Sequence, residues 1–258
     1  MTTTSRLVLT DPADTDLTRD AFLGGRLHLL QPRHGYRAGV DPVLLSACIQ
    51  AKKGQSVLEL GCGVGTAILC LDARVPGLEL TAVERDPTFA VLARRNGGHN
   101  LNVIEADLSA LPHDLRQRQF DHVLANPPYY DRTASVASRD PAREAAHGAE
   151  TPLETWVKTA ASRLTPKGYA HFIHLIDRLP DILAALPSGM GSIEVLPISA
   201  RTGRAPDRMI LRARKNGRTP FRLHAPLVMH QGDCHSDAGK HYTPSVGEVL
   251  RNGAALTF

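Results

Sequence analysis

The chain has 258 residues, of which 42% are hydrophobic and 22% charged, and its formal net charge is +4. This composition excludes a disordered or collagen-like chain. The weak positive charge permits a polyanionic partner without requiring one. The four cysteines form no CxxC pair, and no apolar run is long enough to span a membrane. We therefore expect a cytoplasmic protein without a membrane partner.

The first predicted elements form a short lead-in. Residues 21–40 combine glycine pairs with short apolar runs, which indicates a small hairpin followed by a turn. Asp41 and Pro42 then have the pattern of a helix N-cap with proline at the first helical position. We predict a lead-in of hairpin and helix over residues 1–50 and one main domain over residues 51–258.

Short apolar segments alternate with helical ones over most of the main domain. The predicted strands are 56–60, 78–83, 102–106, 120–125, 168–175, 193–198 and 208–214. Strands that alternate with helices at this spacing are typical of an α/β fold with a doubly wound, mostly parallel sheet and helices on both faces. We expect seven strands in that sheet.

A glycine-rich turn and two acidic residues follow the first three strands of this series. Gly61, Gly63 and Gly65 in ELGCGVG let the backbone pass close to a ligand. Glu84 ends the second strand, where a carboxylate can accept hydrogen bonds from both ribose hydroxyls. Asp107 follows the third strand and can accept from an adenine amino group. Together they predict an adenosine pocket, with NAD still allowed, whereas the P-loop motif of ATP and GTP sites does not occur.

The tetrapeptide Asn126-Pro127-Pro128-Tyr129 follows the fourth strand. Two prolines fix the backbone and remove two N–H donors, so the Asn126 amide oxygen and the Pro127 carbonyl can face one point. Tyr129 offers a flat face on which a ring can stack. This arrangement fits a planar –NH₂ group, because accepting both of its hydrogens raises electron density on the nitrogen in the transition state.

In this order the motifs resemble class I S-adenosylmethionine-dependent methyltransferases that modify an amino nitrogen. The resemblance implies a Rossmann-like methyltransferase fold and S-adenosyl-L-methionine as cofactor. It also implies that the glycine turn, with Glu59, lines the methionine end of the cofactor, while Glu84 holds the ribose and Asp107 the adenine. The NPPY residues would hold the target amine.

The stretch QPRHGYRAGVDPVLL, residues 31–45, and the segments 198–204 and 242–244 narrow the resemblance. They are similar to the bacterial family of tRNA(Val) adenine-N6-methyltransferases, which act next to the anticodon. This resemblance implies direct in-line transfer to the N6 amino group of an adenine in tRNA. It also implies that Asp41 lies near the methionine end of the cofactor.

Most of the positive charge lies in one segment, residues 201–222, which carries +7 and leaves −3 for the rest of the chain. Its basic residues are Arg201, Arg204, Arg208, Arg212, Arg214, Lys215, Arg218 and Arg222. Arg208, Arg212 and Arg214 share strand parity and are expected to form a basic face that binds RNA phosphates. The long connection 129–150 is expected at the edge of the sheet where ligands bind.

Other functions share parts of this pattern. A protein glutamine methyltransferase of the release-factor type uses the same NPPY on a side-chain amide, but usually has a larger helical domain than 55 preceding residues allow. A DNA adenine methyltransferase, an NAD oxidoreductase and a binding module without catalysis are further alternatives. The tail residues His224, His230, Cys234, His235 and His241 lack a second close ligand pair, so no metal is predicted. The oligomeric state stays open.

The NPPY interpretation makes a direct prediction for Asn126. Asn126→Ala removes one of the two acceptors for the target amine, so we expect turnover to be lost while cofactor affinity stays close to normal. Label transfer from S-adenosylmethionine measures the first quantity and a cofactor titration the second. Turnover that survives the substitution would contradict the interpretation.

Overall fold

Two β-sheets run through the part of the chain that the computed structural model describes, residues 14–129, 151–232 and 241–258. The strands are β1 (Leu17–Phe22), β2 (Leu27–Pro32), β3 (Ser56–Leu60), β4 (Glu79–Glu84), β5 (Leu101–Glu105), β6 (Phe120–Ala125), β7 (Leu164–Leu175), β8 (Met190–Ser199), β9 (Arg208–Lys215), β10 (Arg222–Leu223) and β11 (Leu227–Val228). The α-helices are α1 (Asp41–Ala47), α2 (Thr66–Arg74), α3 (Pro87–Gly97), α4 (His113–Gln117), α5 (Leu153–Ser162), α6 (Leu179–Ala185) and α7 (Pro244–Asn252). Among these helices, none has the length and apolar character needed to cross a membrane.

The main sheet has the strand order β10-β8-β9-β7-β6-β3-β4-β5, with β11 also paired to β8. Only β9 runs antiparallel to its neighbours β7 and β8. The predicted fold class is therefore confirmed, but the sheet has nine strands and not seven. The two additional strands form where the chain returns along the edge of β8, and each has only two residues, too few to show a strand periodicity in the sequence.

Helices cover both faces of this sheet, and the strands are apolar on both sides as parallel strands must be. Neighbouring residues of β3 enter different core clusters: Val57 packs with α1 and α2, and Leu58 packs with α5. In β6, Leu124 belongs to the cluster of Val57 and Val123 to the cluster of Leu58. Because successive strand side chains point to opposite faces, the two clusters lie on the two sides of the sheet.

The strand order reverses direction at β3, which lies between β4 and β6. Leu60 of β3 pairs with Val83 on one side and with Ala125 on the other. The next residue on each strand is therefore Glu84, Gly61 or Asn126, on neighbouring strands roughly 4.8 Å apart. Ligands of doubly wound sheets bind at this reversal, outside the carboxyl ends of the strands.

The lead-in contains the expected hairpin, in which β1 and β2 pair antiparallel, and the expected helix α1. Asn96 of α3 connects the hairpin to the glycine turn. Its side-chain amide donates to the carbonyls of Leu30 and Val64, each at 3.0 Å, and its oxygen accepts from the Leu30 N–H at 2.8 Å. The division of the chain at residue 50 stays a prediction.

Replacing Asn96 should loosen this connection. Asn96→Ala leaves three partly buried backbone groups without their partner, so we expect the free energy of unfolding to fall by about 2–3 kcal/mol. Urea denaturation measures the change. Asn102→Ala, at an exposed position of β5, is the control and should change stability by less than about 0.5 kcal/mol. Equal losses in the two variants would contradict this role of Asn96.

Candidate active site at the carboxyl edge of the sheet

The turn after β3 requires glycine at three positions. Gly61, Gly63 and Gly65 have φ angles of +62°, +54° and +86°, which side chains rarely adopt. A Cβ atom on Gly61 would lie 2.3 Å from the ring of Trp156, whereas one on Gly63 would meet nothing within 4 Å. The turn is thus packed against α5 at Gly61 and open at Gly63. Trp156 is not predictable as part of this site, since nothing in its sequence spacing connects α5 with the turn.

Glu84 holds the open part of the turn. Its side chain is largely buried, with one carboxylate oxygen accepting from the Gly63 N–H and the other from the Asp86 N–H, both at 2.8 Å. Burial raises the pKa of this carboxyl, and the hydrogen bonds oppose that rise. Because each carboxylate oxygen has a second lone pair, Glu84 can still accept from a ligand hydroxyl.

Glu59 belongs to the same ELGCGVG motif and is buried, with 2% of its surface exposed. One of its oxygens accepts from the Ile68 N–H at 3.0 Å, in the first turn of α2. The N-cap residue of α2 is Gly65, which has no side chain to fill this role. Burial raises the pKa of Glu59 to about 8, so it binds a proton around neutral pH. The hydrogen bond of Glu59 is therefore made with the N-terminal end of α2.

Asp107 lies just past β5 and is partly exposed. Its carboxylate accepts from the Ser109 N–H at 2.8 Å and from the Ser109 hydroxyl at 2.6 Å. The guanidinium of Arg85 lies 3.7 Å away. The hydrogen bonds from Ser109, followed by the smaller effect of Arg85, lower the pKa of Asp107. It therefore presents a stable negative charge at this edge.

The NPPY residues continue β6 beyond the sheet. Pro127 is buried, Pro128 is exposed, and Asn126 and Tyr129 are half-buried. The Tyr129 hydroxyl donates to Asp41 at 2.6 Å. Asp41 thus lies against the expected amine-binding loop. The expected N-cap role of Asp41 is wrong, because the N-cap of α1 is Val40 and the Asp41 carboxylate is engaged outside the helix.

Two further side chains, which belong to none of the sequence motifs, lie beside Tyr129 or its partner Asp41. Arg208 of β9 forms an ion pair with the second Asp41 oxygen. His174 of β7 lies with its ring centroid 5.2 Å from that of Tyr129. Burial lowers the pKa of His174 to about 4, and the neighbouring Pro128 carbonyl opposes part of this fall. The hydrophobic pattern of a strand does not distinguish His174 from an ordinary core residue.

The expected basic face of β9 has other partners in the structure. Arg212 forms an ion pair with Glu194 at 2.7 Å, and Arg214 donates to the Lys167 carbonyl at 3.1 Å. Arg208 is paired with Asp41. The strand also separates the ends of the basic segment by roughly 23 Å, the length of eight residues. Strand β9 begins at the edge of the sheet that carries NPPY and ends at the opposite edge.

The positions of the other basic residues follow from this strand direction. Arg201 and Arg204 precede β9 and lie at the NPPY edge, whereas Lys215 and Arg218 lie at or beyond the far end. Of the connection 129–150, only Tyr129 belongs to the described residues, and Cys234 and His235 of the tail also lie outside them.

Comparison with known proteins finds curated relatives over most of the chain. A protein of Haemophilus influenzae named "tRNA1(Val) (adenine(37)-N6)-methyltransferase" is 27% identical over 236 residues, which are 90% of this chain and 97% of the relative. A protein of the same name from Actinobacillus succinogenes is 32% identical over 161 residues, 60% of this chain and 67% of the relative. The crystal structure of a "predicted O-methyltransferase" from Agrobacterium tumefaciens superimposes with a TM-score of 0.68 at 26% identity, covering 84% of this chain and 99% of that one.

A family model described as "Methyltransferase small domain" matches residues 40–174. The match begins next to Asp41, ends at His174 and includes both the glycine turn and NPPY. The site also fits S-adenosylmethionine, since the open space at Gly63 admits a ligand beside Glu84, whose carboxylate can accept from ribose hydroxyls. The chain belongs to the methyltransferase small domain family and is an S-adenosylmethionine-dependent methyltransferase.

Proposed function

We propose that this chain transfers a methyl group from S-adenosylmethionine to the N6 amino group of an adenine in tRNA. The observation that carries the proposal is the pairing of Leu60 with Ala125. Through it, Gly61 of the cofactor turn and Asn126 of the amine-binding loop follow neighbouring strands. A methyl donor bound at Gly61 and a methyl acceptor bound at Asn126 would be held side by side, as direct transfer requires.

The cofactor would bind along the carboxyl ends of β3, β4 and β5. We assign its methionine end to Gly61, Gly63 and Gly65, its ribose to Glu84 and its adenine to Asp107. Glu59 would contribute through the end of α2 that it stabilises, because its side chain is enclosed. Asp41 would contribute through Tyr129, with which it shares a hydrogen bond.

The residues of NPPY would act on the adenine. S-Adenosylmethionine supplies a methyl group on a positively charged sulfur when it is bound. The Asn126 amide oxygen and the Pro127 carbonyl would accept the two hydrogens of the amine, which favours bond formation at its nitrogen. Tyr129 would stack on the base and orient it. Adenines of single-stranded RNA loops can be splayed out to reach such a ring.

The choice of tRNA rests on the relatives and on charge. Curated relatives that span 90% of this chain carry the name of a tRNA adenine-N6-methyltransferase, and this does not favour the protein glutamine alternative. Arg201 and Arg204 lie at the NPPY edge, where they would meet RNA phosphates. A cytoplasmic location follows from such a substrate. The name of the Agrobacterium structure makes transfer to oxygen an outcome that the substrate assay must distinguish.

Gly63 provides a test of the cofactor site. Gly63→Ala places a methyl group in the open part of the turn, so we expect the dissociation constant of S-adenosylhomocysteine to rise at least about tenfold. Trp156, the single tryptophan of the chain, packs against Gly61 and should report binding by its fluorescence. Gly54→Ala also has a positive φ and open surroundings but lies before β3, and serves as the control. If both variants bind equally well, the assignment of Gly63 is wrong.

The substrate is tested by incubating the protein with labelled S-adenosylmethionine and, separately, tRNA, rRNA, DNA or release factor. Digestion then identifies the methylated product. We expect N6-methyladenosine in tRNA and its loss in Asn126→Ala. Label in glutamine would support the protein alternative, and label on a hydroxyl oxygen would overturn transfer to nitrogen.

A further inference from the structure

We propose that Asp41, His174 and Arg208 are positioning residues of methyl transfer, which act by fixing Tyr129 and the turn at Pro128. These three side chains together with Tyr129 are called the Tyr129 cluster. The inference rests on the proposed function of NPPY. It gives Asp41 a new role and adds His174 and Arg208, which none of the motifs contains. They come from α1, β7 and β9 and meet at one loop.

The first contact in the Tyr129 cluster is made by the phenol. Its hydroxyl donates to one oxygen of Asp41 at 2.6 Å, and Arg208 pairs with the other oxygen. The side chains of Asp41 and Arg208 are only 16% and 20% exposed, so solvent screens their attraction little. Arg208 thus holds the Asp41 carboxylate, and the carboxylate holds the free end of the Tyr129 ring. A ring that stacks on a base needs one fixed orientation, which this contact supplies.

The second contact is made by His174 and concerns the backbone. Its Nδ1 accepts from the Leu175 N–H at 2.8 Å, which leaves Nε2 to carry the hydrogen. The Pro128 carbonyl lies within reach of this hydrogen. The His174 ring is tilted by 55° to that of Tyr129. It therefore supports Tyr129 without stacking parallel on it.

The surroundings of Arg208 argue against a direct contact with RNA phosphates. Its guanidinium lies between two carboxylates, Asp41 and Asp207, the latter at 3.4 Å. Two negative neighbours cancel the charge that would attract a phosphate. The basic residue that the sequence places in an RNA-binding face therefore serves the geometry of the amine-binding loop.

A double-mutant cycle tests whether Arg208 acts through Tyr129. Arg208→Gln removes the charge that holds Asp41, and Tyr129→Phe removes the hydroxyl. We expect each single variant to lower kcat about ten- to a hundredfold, the effect of misplacing a reacting group. The double variant should be no slower than the slower single variant, because both changes break the same contact. The affinity for S-adenosylhomocysteine, measured by Trp156 fluorescence, should stay within about twofold in all three.

The backbone contact is tested by His174→Phe, which keeps a ring but removes the N–H. We expect a lower kcat with unchanged cofactor affinity, and partial recovery in His174→Asn, which retains a donor. Lys52→Gln removes an exposed cation just before β3, at the opposite edge of the sheet, and should leave kcat within about twofold of the wild type. If Arg208→Gln does not fold, Asp41→Asn replaces it in the cycle.

Two results would overturn the proposal. In one, the losses of Arg208→Gln and Tyr129→Phe multiply in the double variant. In the other, Arg208→Gln raises KM for the RNA at unchanged kcat, as loss of a phosphate contact would. The cycle is run on the substrate class that the wild type methylates, so a different substrate would refute the tRNA assignment while still giving the coupling between these residues.

Discussion

The pairing of β3 with β6 is the constraint on which the rest of this molecule depends. Backbone hydrogen bonds set Leu60 beside Ala125 and Val83, and the residues that follow these three positions form the centre of the site. A slip of one residue in either strand would send its side chains to the opposite face of the sheet. Because both faces are filled with apolar side chains, the core opposes such a slip. Packing of the core therefore fixes the geometry of the site.

The carboxyl groups around the glycine turn have unlike environments, and this difference separates their roles. Glu59 is enclosed and stabilises the start of α2, while Glu84 binds the backbone of the turn and keeps acceptor capacity. Asp107 is partly exposed, and its hydrogen bonds with Ser109 lower the pKa of its carboxyl. Glu59 and Glu84 therefore support the backbone of the turn and of α2, whereas Asp107 does not contact that backbone. A substitution at Glu59 would act on the turn before it acted on a ligand.

The sequence was sufficient to predict the fold class, the glycine turn and the NPPY loop, because each has a local pattern of glycine, proline or alternating apolar residues. It did not predict Trp156, His174 or Arg208 as parts of the site, since their contacts join residues far apart in the chain. Strand parity places Arg208 in a basic face, but parity carries no information about a carboxylate from another element. The two strands at the edge of β8 were missed because each has only two residues.

The division of the basic segment by β9 has a consequence for the thermodynamics of RNA binding. An RNA loop bound at the NPPY edge would meet Arg201 and Arg204 from this segment, while Arg208 is already neutralised by carboxylates. Release of condensed counterions from single strands contributes about −0.7 per neutralised phosphate to the slope of log K against log salt, so the segment would contribute about −1.4. If all eight basic residues of the segment bound phosphates, their contribution to this slope would be about −5.6. Binding of the loop at this edge would therefore depend only weakly on ionic strength through these residues.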